Sequence, residues 1–422
     1  MNPSRPSGVR PPSRVLRVVA GAGLAVVVAI VAALVIAPPA DLAAAPSAAA
    51  PPAAPQPAPT QYTMTDLGTL RDGLESHAQF INKRGQVAGM SYIATGEPHH
   101  FFWDGDTMHD LGADIALIVG LNDQGQIAVN IEAGPYTVHA GLWSDGVLTD
   151  FGTLPGDQYS QAKGINNRGQ VVGYSAGSLG STGIIWENGT TTTLGFLGGG
   201  DDTFATHIND MGQVAGWAVT DLQERHAFFW DHGVMTDLSP PPPQGNVLCH
   251  CTTEARGLNN RGQVVVNQES PFQPGIPAFV WEAGSRTLIV HPPGSAGYLS
   301  ADRINDRGEV SGTRWTFPGT GFADNNPFFW REGVLTEWNE AATTSQSNAM
   351  NRFGQVVGET TTSLGVRGFV WDAGQLTELE NESYSSAAGI NDRGVIAGSA
   401  AIGRWTHAVI WTPVTPAKPA AP

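Results

Sequence analysis

Beyond residue 60, apolar positions come in short runs of four to six, set off by turns rich in Asn, Asp and Gly. Hardly any stretch keeps a helical period, so the pattern predicts strands throughout. One turn recurs, Asn-x-x-Gly-x-Val/Ile, beginning at Asn82, Asn122, Asn166, Asn209, Asn259, Asn305, Asn351 and Asn391. The first and last lie 309 residues apart over seven intervals, a period of about 44 residues, the length of a four-stranded propeller blade. A Trp that closes an apolar run follows each turn, from Trp103 to Trp411, and a Thr-Asp-Leu-like element follows most of those, as at Asp66, Asp110, Asp150 and Asp237.

Each repeat reads as four strands. The first, such as Ser160 to Ile165, ends at a turn in which Asn engages the backbone and Gly supplies a positive φ, a type I turn with a G1 bulge. The second starts at Gln170. The third, such as His226 to Trp230, is apolar on both faces, as a strand buried between two layers must be. A second tight turn leads to the fourth, such as Val234 to Leu238. The chain opens with an unaccompanied fourth strand, Thr63 to Leu67, and closes on a third strand at Trp411. Those ends complement each other. The expected fold is therefore all-β: a closed β-propeller of eight four-stranded blades over 61–412, the N-terminal strand completing the last blade and removing an exposed edge. An irregular repeat absorbed by its neighbours would leave seven. The repeats at Ala116–Trp143 and Ser300–Trp330 depart most from the pattern.

The motif Gly164-Ile165-Asn166-Asn167-Arg168-Gly169-Gln170-Val171-Val172-Gly173, with His226-Ala227-Phe228-Phe229-Trp230, resembles the HAF repeat of bacterial extracellular proteins. The likeness runs from about Tyr62 to Trp411. It implies an extracytoplasmic, propeller-like protein and no catalytic residues, because the motif consists of positions that determine the fold.

The N-terminal region agrees with export. Residues 1–17 form a basic n-region with four arginines, and Val18 to Ala37 is uncharged and apolar, long enough to cross a bilayer as a signal-anchor or to serve as a signal peptide. Residues 38–60 are nearly all Pro and Ala, a semi-rigid linker, and 413–422 is a similar tail expected to be disordered. The expected location is thus secreted, or anchored outside the cytoplasmic membrane. The formal charge is −16, and because residues 1–60 carry +3, the remainder carries −19. That field repels nucleic acid and anionic lipid.

Candidate chemistry is sparse. Strand-one residues facing a central channel supply a candidate ligand site at its mouth: His77, Lys163, Glu254, Arg256, Asp302 and Arg303. The variable loops on the opposite end from the Asn turns, notably Leu238 to Gly245 and Phe317 to Asn326, are the other expected binding surface. The Asn-Asp turns are too short and too mixed with Arg to hold calcium, and His99, His139, His226 and His407 fall in separate repeats where they cannot converge on a metal. Cys249 and Cys251 flank His250 and read as a small disulfide ring, free thiols or part of a metal site. No cofactor is expected and no catalytic residue stands out. The reading is a binding or scaffold module for a protein or glycan at the cell surface, the alternative a carbohydrate- or peptide-active hydrolase or lyase with its site at the channel mouth.

Overall fold

The computed structural model describes residues 61–239, 252–269, 278–291, 297–316, 324–338, 344–363, 365–379 and 383–414. The n-region, the apolar segment 18–37, the linker, Cys249, Cys251 and most of both long loops lie outside them. Among the described residues no helix is long and apolar enough to cross a membrane.

Thirty-two strands are present among the described residues, and their antiparallel pairing sorts them into groups of four. A representative group runs Tyr159–Ile165, Val171–Gly177, Gly180–Glu187 and Thr190–Thr193. The group that ends the chain takes its fourth strand from the N-terminus: Tyr62–Asp66 pairs with Trp405–Pro413 from Tyr62↔Pro413 to Asp66↔Val409. Regular structure thus reaches Pro413, one residue into the stretch expected to be tail. No single sheet closes on itself. Two pairs of neighbouring groups share one parallel contact each, Ser181↔Asp202 and Asn325↔Thr344, and the rest meet through side chains. The architecture is all-β and propeller-like.

Apolar packing joins each group to the next. The third strands are buried on both sides, as in Ala227, Phe228, Phe229 and Trp230, and Phe229 packs with Ala255, Val264 and Trp281 of the following repeat. First and last repeats share a cluster too, where Leu70, Val87 and Phe101 meet Ala397 and Ala408. Burying a Phe or Leu side chain contributes about 1.5–3 kcal/mol, so these layers carry most of the stability. A buried hydroxyl on each of several first strands adds a polar tie. Ser160 Oγ accepts from the amide of Ala140 in the preceding repeat and donates to the carbonyl of Gly152. Ser76 makes the same link from the first repeat to Ala408 of the last.

The turns do more than reverse the chain. Asn166, 4% exposed, accepts through Oδ1 from the amides of Arg168 and Gln170 and donates through Nδ2 to Gln170 Oε1. The same Nδ2 donates to the carbonyl of Asn209, the equivalent residue of the next repeat. This bond recurs at all eight Asn, at 2.8 to 3.2 Å, and Asn391 donates to Asn82. Gly169 serves both purposes: its φ is 79°, and an added Cβ would stand 2.8 Å from Gln126 Oε1 of the preceding repeat. Only glycine fits there.

Every first strand also bulges at one position, three residues before the Asn. The register shifts between Ala162 and Gly164, and at the equivalent place in the other seven. Opposite this bulge, in six of the eight repeats, sits a close-packed glycine, for example Gly173, where a Cβ would fall 1.8 Å from the Gln161 carbonyl; Val129 and Val266 take its place in the other two. The repeat at Ala116–Trp143, expected to be irregular, carries two further shifts, at Ile115/Leu117 and Glu132/Gly134.

Candidate functional site at the central opening and along the innermost strands

The repeat geometry brings all eight Asn turns around one opening. Its cavity is about 430 Å³, within the 300–1,000 Å³ of small-molecule sites. Beneath lie the aliphatic residues that precede each Asn, Ile81, Ile165, Ile208 and Ile304 among them. Above them stands the residue that follows each Asn: Lys83, Asp123, Asn167, Asp210, Asn260, Asp306, Arg352 and Asp392. These rim residues are laced together. The amide of Asn167 donates to Asp210 Oδ1, that of Asp210 to Asn260 Oδ1 and that of Asn260 to Asp306 Oδ1, at 2.8 to 2.9 Å. Lys83 pairs with Asp123 at 3.1 Å and Arg352 with Asp392 at 3.5 Å.

This site was not read from the sequence. Each Asn-x-x-Gly turn taken alone is a turn and nothing more, and the residue after Asn varies. Only the pairing of equivalent turns in space makes those residues neighbours. Among the described residues no group of His, Cys, Asp and Glu is disposed to hold a metal.

Of the six residues expected at the channel mouth, four come together and two stand apart. Glu254 lies between Arg256 at 3.3 Å and Arg225 of the preceding repeat at 3.7 Å. Asp302 occupies the bulge position of the next first strand, accepts from Ser300 Oγ at 2.7 Å, and feels both Arg303 and Arg256. Burial outweighs those partners and raises its carboxyl above the ordinary range. Arg303 is held by two carbonyls, those of Asp302 and Asn348. His77 instead stands 3.2 Å from Ser399 Oγ of the last repeat, and Lys163 lies over the Tyr174 ring.

His207, a first-strand residue outside those six, joins this cluster. It occupies the position after the bulge, bonded to Thr206 Oγ1 at 2.8 Å, and burial first, then Arg303 and Arg256, push its imidazole down to about 4. It is neutral at pH 7. The enclosed Nε of Arg256 has no hydrogen-bond partner among the described residues. The first and second strands of the two preceding repeats carry aromatic rings. Tyr159, Tyr174 and Phe204 meet edge to face, Phe204 stacks on Trp217, and the Arg225 guanidinium lies 4.3 Å from the Trp217 ring.

The four histidines of the third strands do not converge, as expected, and each has a partner. His99, His139 and His226 bond the fourth-strand acids Asp110, Asp150 and Asp237 at 2.9 to 3.1 Å. His407 bonds Asp66 at 3.0 Å and so ties the C-terminal third strand to the N-terminal strand. In the sixth repeat Arg314 and Glu337 make the corresponding pair through two 2.7 Å bonds.

No protein-family model matches the sequence, and no curated protein matches it. Among solved structures the chain is similar to the β-propeller domain of the Trilobed protease from Pyrococcus furiosus, with 10% identity and a TM-score of 0.44 over 73% of this chain and 99% of that one. It is similar to the WD40 domain of SCAP from fission yeast, with 10% identity and a TM-score of 0.44 over 83% and 98%. A third is the acylaminoacyl peptidase of Pyrococcus horikoshii, with 9% identity and a TM-score of 0.45 over 77% of this chain. There the chain spans 57% of the peptidase's length.

Proposed function

We propose that this chain is a binding or scaffold module of the HAF-repeat type, working outside the cytoplasmic membrane on a closed propeller of eight blades. The pairing of Tyr62–Asp66 with Trp405–Pro413 and the Asn391 to Asn82 bond support the closed eight-bladed ring. The apolar segment 18–37 and the Pro/Ala linker support export and tethering. The observation that carries a binding role is the Arg256 side chain. It stands beside Glu254 and within electrostatic reach of Asp302, with an enclosed donor that no described residue satisfies. Buried donors find partners almost without exception, so the site suits a ligand bearing an acceptor oxygen, a hydroxyl of a glycan or a carbonyl of a peptide.

The test is a thermal-shift screen of oligosaccharides and short peptides against the full chain, repeated with Arg256→Ala and Asp302→Asn. A ligand that raises the unfolding midpoint of the parent and loses that effect in both variants is the expected result. Ligands that stabilise all three proteins equally would remove the channel cluster from the reading.

A second reading has one observation in its favour. A carboxyl raised by burial, as Asp302 is, suits a general acid. A hydrolase or lyase would then act where the bound glycan or peptide meets Asp302, and any turnover in the same screen would have to vanish in Asp302→Asn.

A further inference from the structure

The opening on the turn side is a separate place from the Arg256 cluster, and its charges are not spread evenly. Over half of the rim, Arg352, Asp392, Lys83 and Asp123 neutralise one another as two ion pairs. Over the other half, Asn167, Asp210, Asn260 and Asp306 follow in order, and the two carboxylates meet only amides. Asp210 Oδ2 accepts from Asn167 Nδ2 at 3.0 Å, and Asp306 Oδ2 accepts from Asn260 Nδ2 at 3.2 Å. The rim as a whole carries −2, all of it on that half.

Below this rim the wall turns aliphatic, with Ile165, Ile208 and Ile304 and their counterparts partly open to the cavity. A ligand that suits both layers has an apolar chain and one positive head. Divalent metal suits neither, for it needs six or more oxygen ligands, and among the described residues no group of His, Cys, Asp and Glu is disposed to supply them. A carboxylate or phosphate head would face the uncompensated Asp210 and Asp306.

We propose that the turn-side cavity binds an alkylammonium group, its chain against the apolar side chains that precede each Asn and its head between Asp210 and Asp306. The group is the same whether a free primary amine supplies it or the lysine side chain of a peptide. Charge–charge attraction at the rim orients the head, and the area of chain removed from water supplies affinity. The site is independent of the channel cluster, so its fate does not decide the proposal above.

Calorimetric titration of the full chain with n-pentylammonium and with an Nα-acetyl-lysyl tripeptide tests it, against 1-pentanol and pentanoate as neutral and anionic probes. The ammonium probes should bind at least tenfold more tightly than the other two. That preference should fall at least fivefold in Asp210→Asn and in Asp306→Asn, which keep an oxygen to accept the neighbouring amide, and persist in Arg256→Ala. Unfolding midpoints identify a variant that has lost the fold; the other variant then stands as the test. Binding of amine alone points to a small molecule, and binding of the tripeptide alone to a protein lysine. No binding by either, equal binding of 1-pentanol, or affinity unchanged in both Asp variants overturns the proposal.

Discussion

The eight repeats agree at their turns and differ three residues earlier. At the turn, eight Asn make one set of hydrogen bonds and hand Nδ2 to the next repeat in an unbroken cycle. At the bulge, the backbone makes the same irregularity eight times while the side chains are Gln79, Val119, Lys163, Thr206, Arg256, Asp302, Asn348 and Ala388. A bulge re-aims a side chain, and here it does so without constraining which side chain it is. Conformation is specified by Asn and Gly at the ends of the strand. Chemistry is left to the residue between them. The charged residues Arg256 and Asp302 and the uncharged Val119 and Ala388 are outcomes of that freedom on one scaffold.

The sharpest way to break this comparison is to attack the repeated element. Asn166→Ala removes three bonds within its turn and the bond to Asn209, and leaves the amides of Arg168 and Gln170 without their acceptor. Each buried group left unsatisfied costs about 1–3 kcal/mol, so a loss of about 4 kcal/mol is expected by denaturant unfolding. If the turn acts as a shared structural element, Asn259→Ala should cost nearly the same. A difference of more than about 2 kcal/mol between the two would show that the turns are as individual as the bulges, on the scale of one such group.

The second test belongs to the variable layer. In the unfolded chain His207 takes up a proton near pH 6.5, whereas in the folded protein it stays neutral until about 4. The unfolded state therefore binds more protons between those values. His207 contributes stability that is present above pH 6.5, declines as pH falls, and is gone below 4. One pKa unit corresponds to about 1.4 kcal/mol, so this side chain accounts for roughly 3 kcal/mol of the acid loss. His207→Gln should flatten the difference between unfolding at pH 7 and pH 4 by that amount. Identical slopes in parent and variant would mean that burial, with Arg303 and Arg256 beside it, does not hold the ring neutral.

How much of this was legible follows the same division. The period, the strands and the complementary chain ends are written in single repeats, in Asn166, Gly169 and Trp186, because local turn chemistry and burial dictate them. Glu254, Arg256, Asp302 and Arg303 were recognisable as first-strand residues because the Asn turn marks where each first strand ends, whereas the side each one faces is set by the bulge. His207 holds the same place as Arg303, one residue after the bulge, and only the approach of neighbouring first strands brings it against Arg303 and Arg256. The rim from Lys83 to Asp392 was illegible for a different reason. Its members are about 44 residues apart and adjoin only once the ring of turns exists. A residue's neighbours in a repeat protein are set by the repeat after it, and no window within one repeat contains them.

The smallest expected effect tests whether the outer strands obey the rule of the turns. His226 is raised above its ordinary value, chiefly by its hydrogen bond to Asp237. Its contribution is therefore full below pH 6.5 and disappears as pH rises through the raised value. Partly exposed pairs of this kind contribute under about 1 kcal/mol, so His226→Gln should cost a few tenths at pH 6 and nothing measurable at pH 9. His407 makes the same bond to Asp66, yet its partner is the N-terminal strand, which only its pairing with Trp405–Pro413 holds in that sheet. His407→Gln should thus raise amide exchange across Tyr62–Asp66 at pH 6, where the equivalent change at His226 leaves Val234–Asp237 protected by the short turn that joins it to its neighbour. Equal protection of both strands would mean that the joint between the chain ends is as secure as a covalent hairpin.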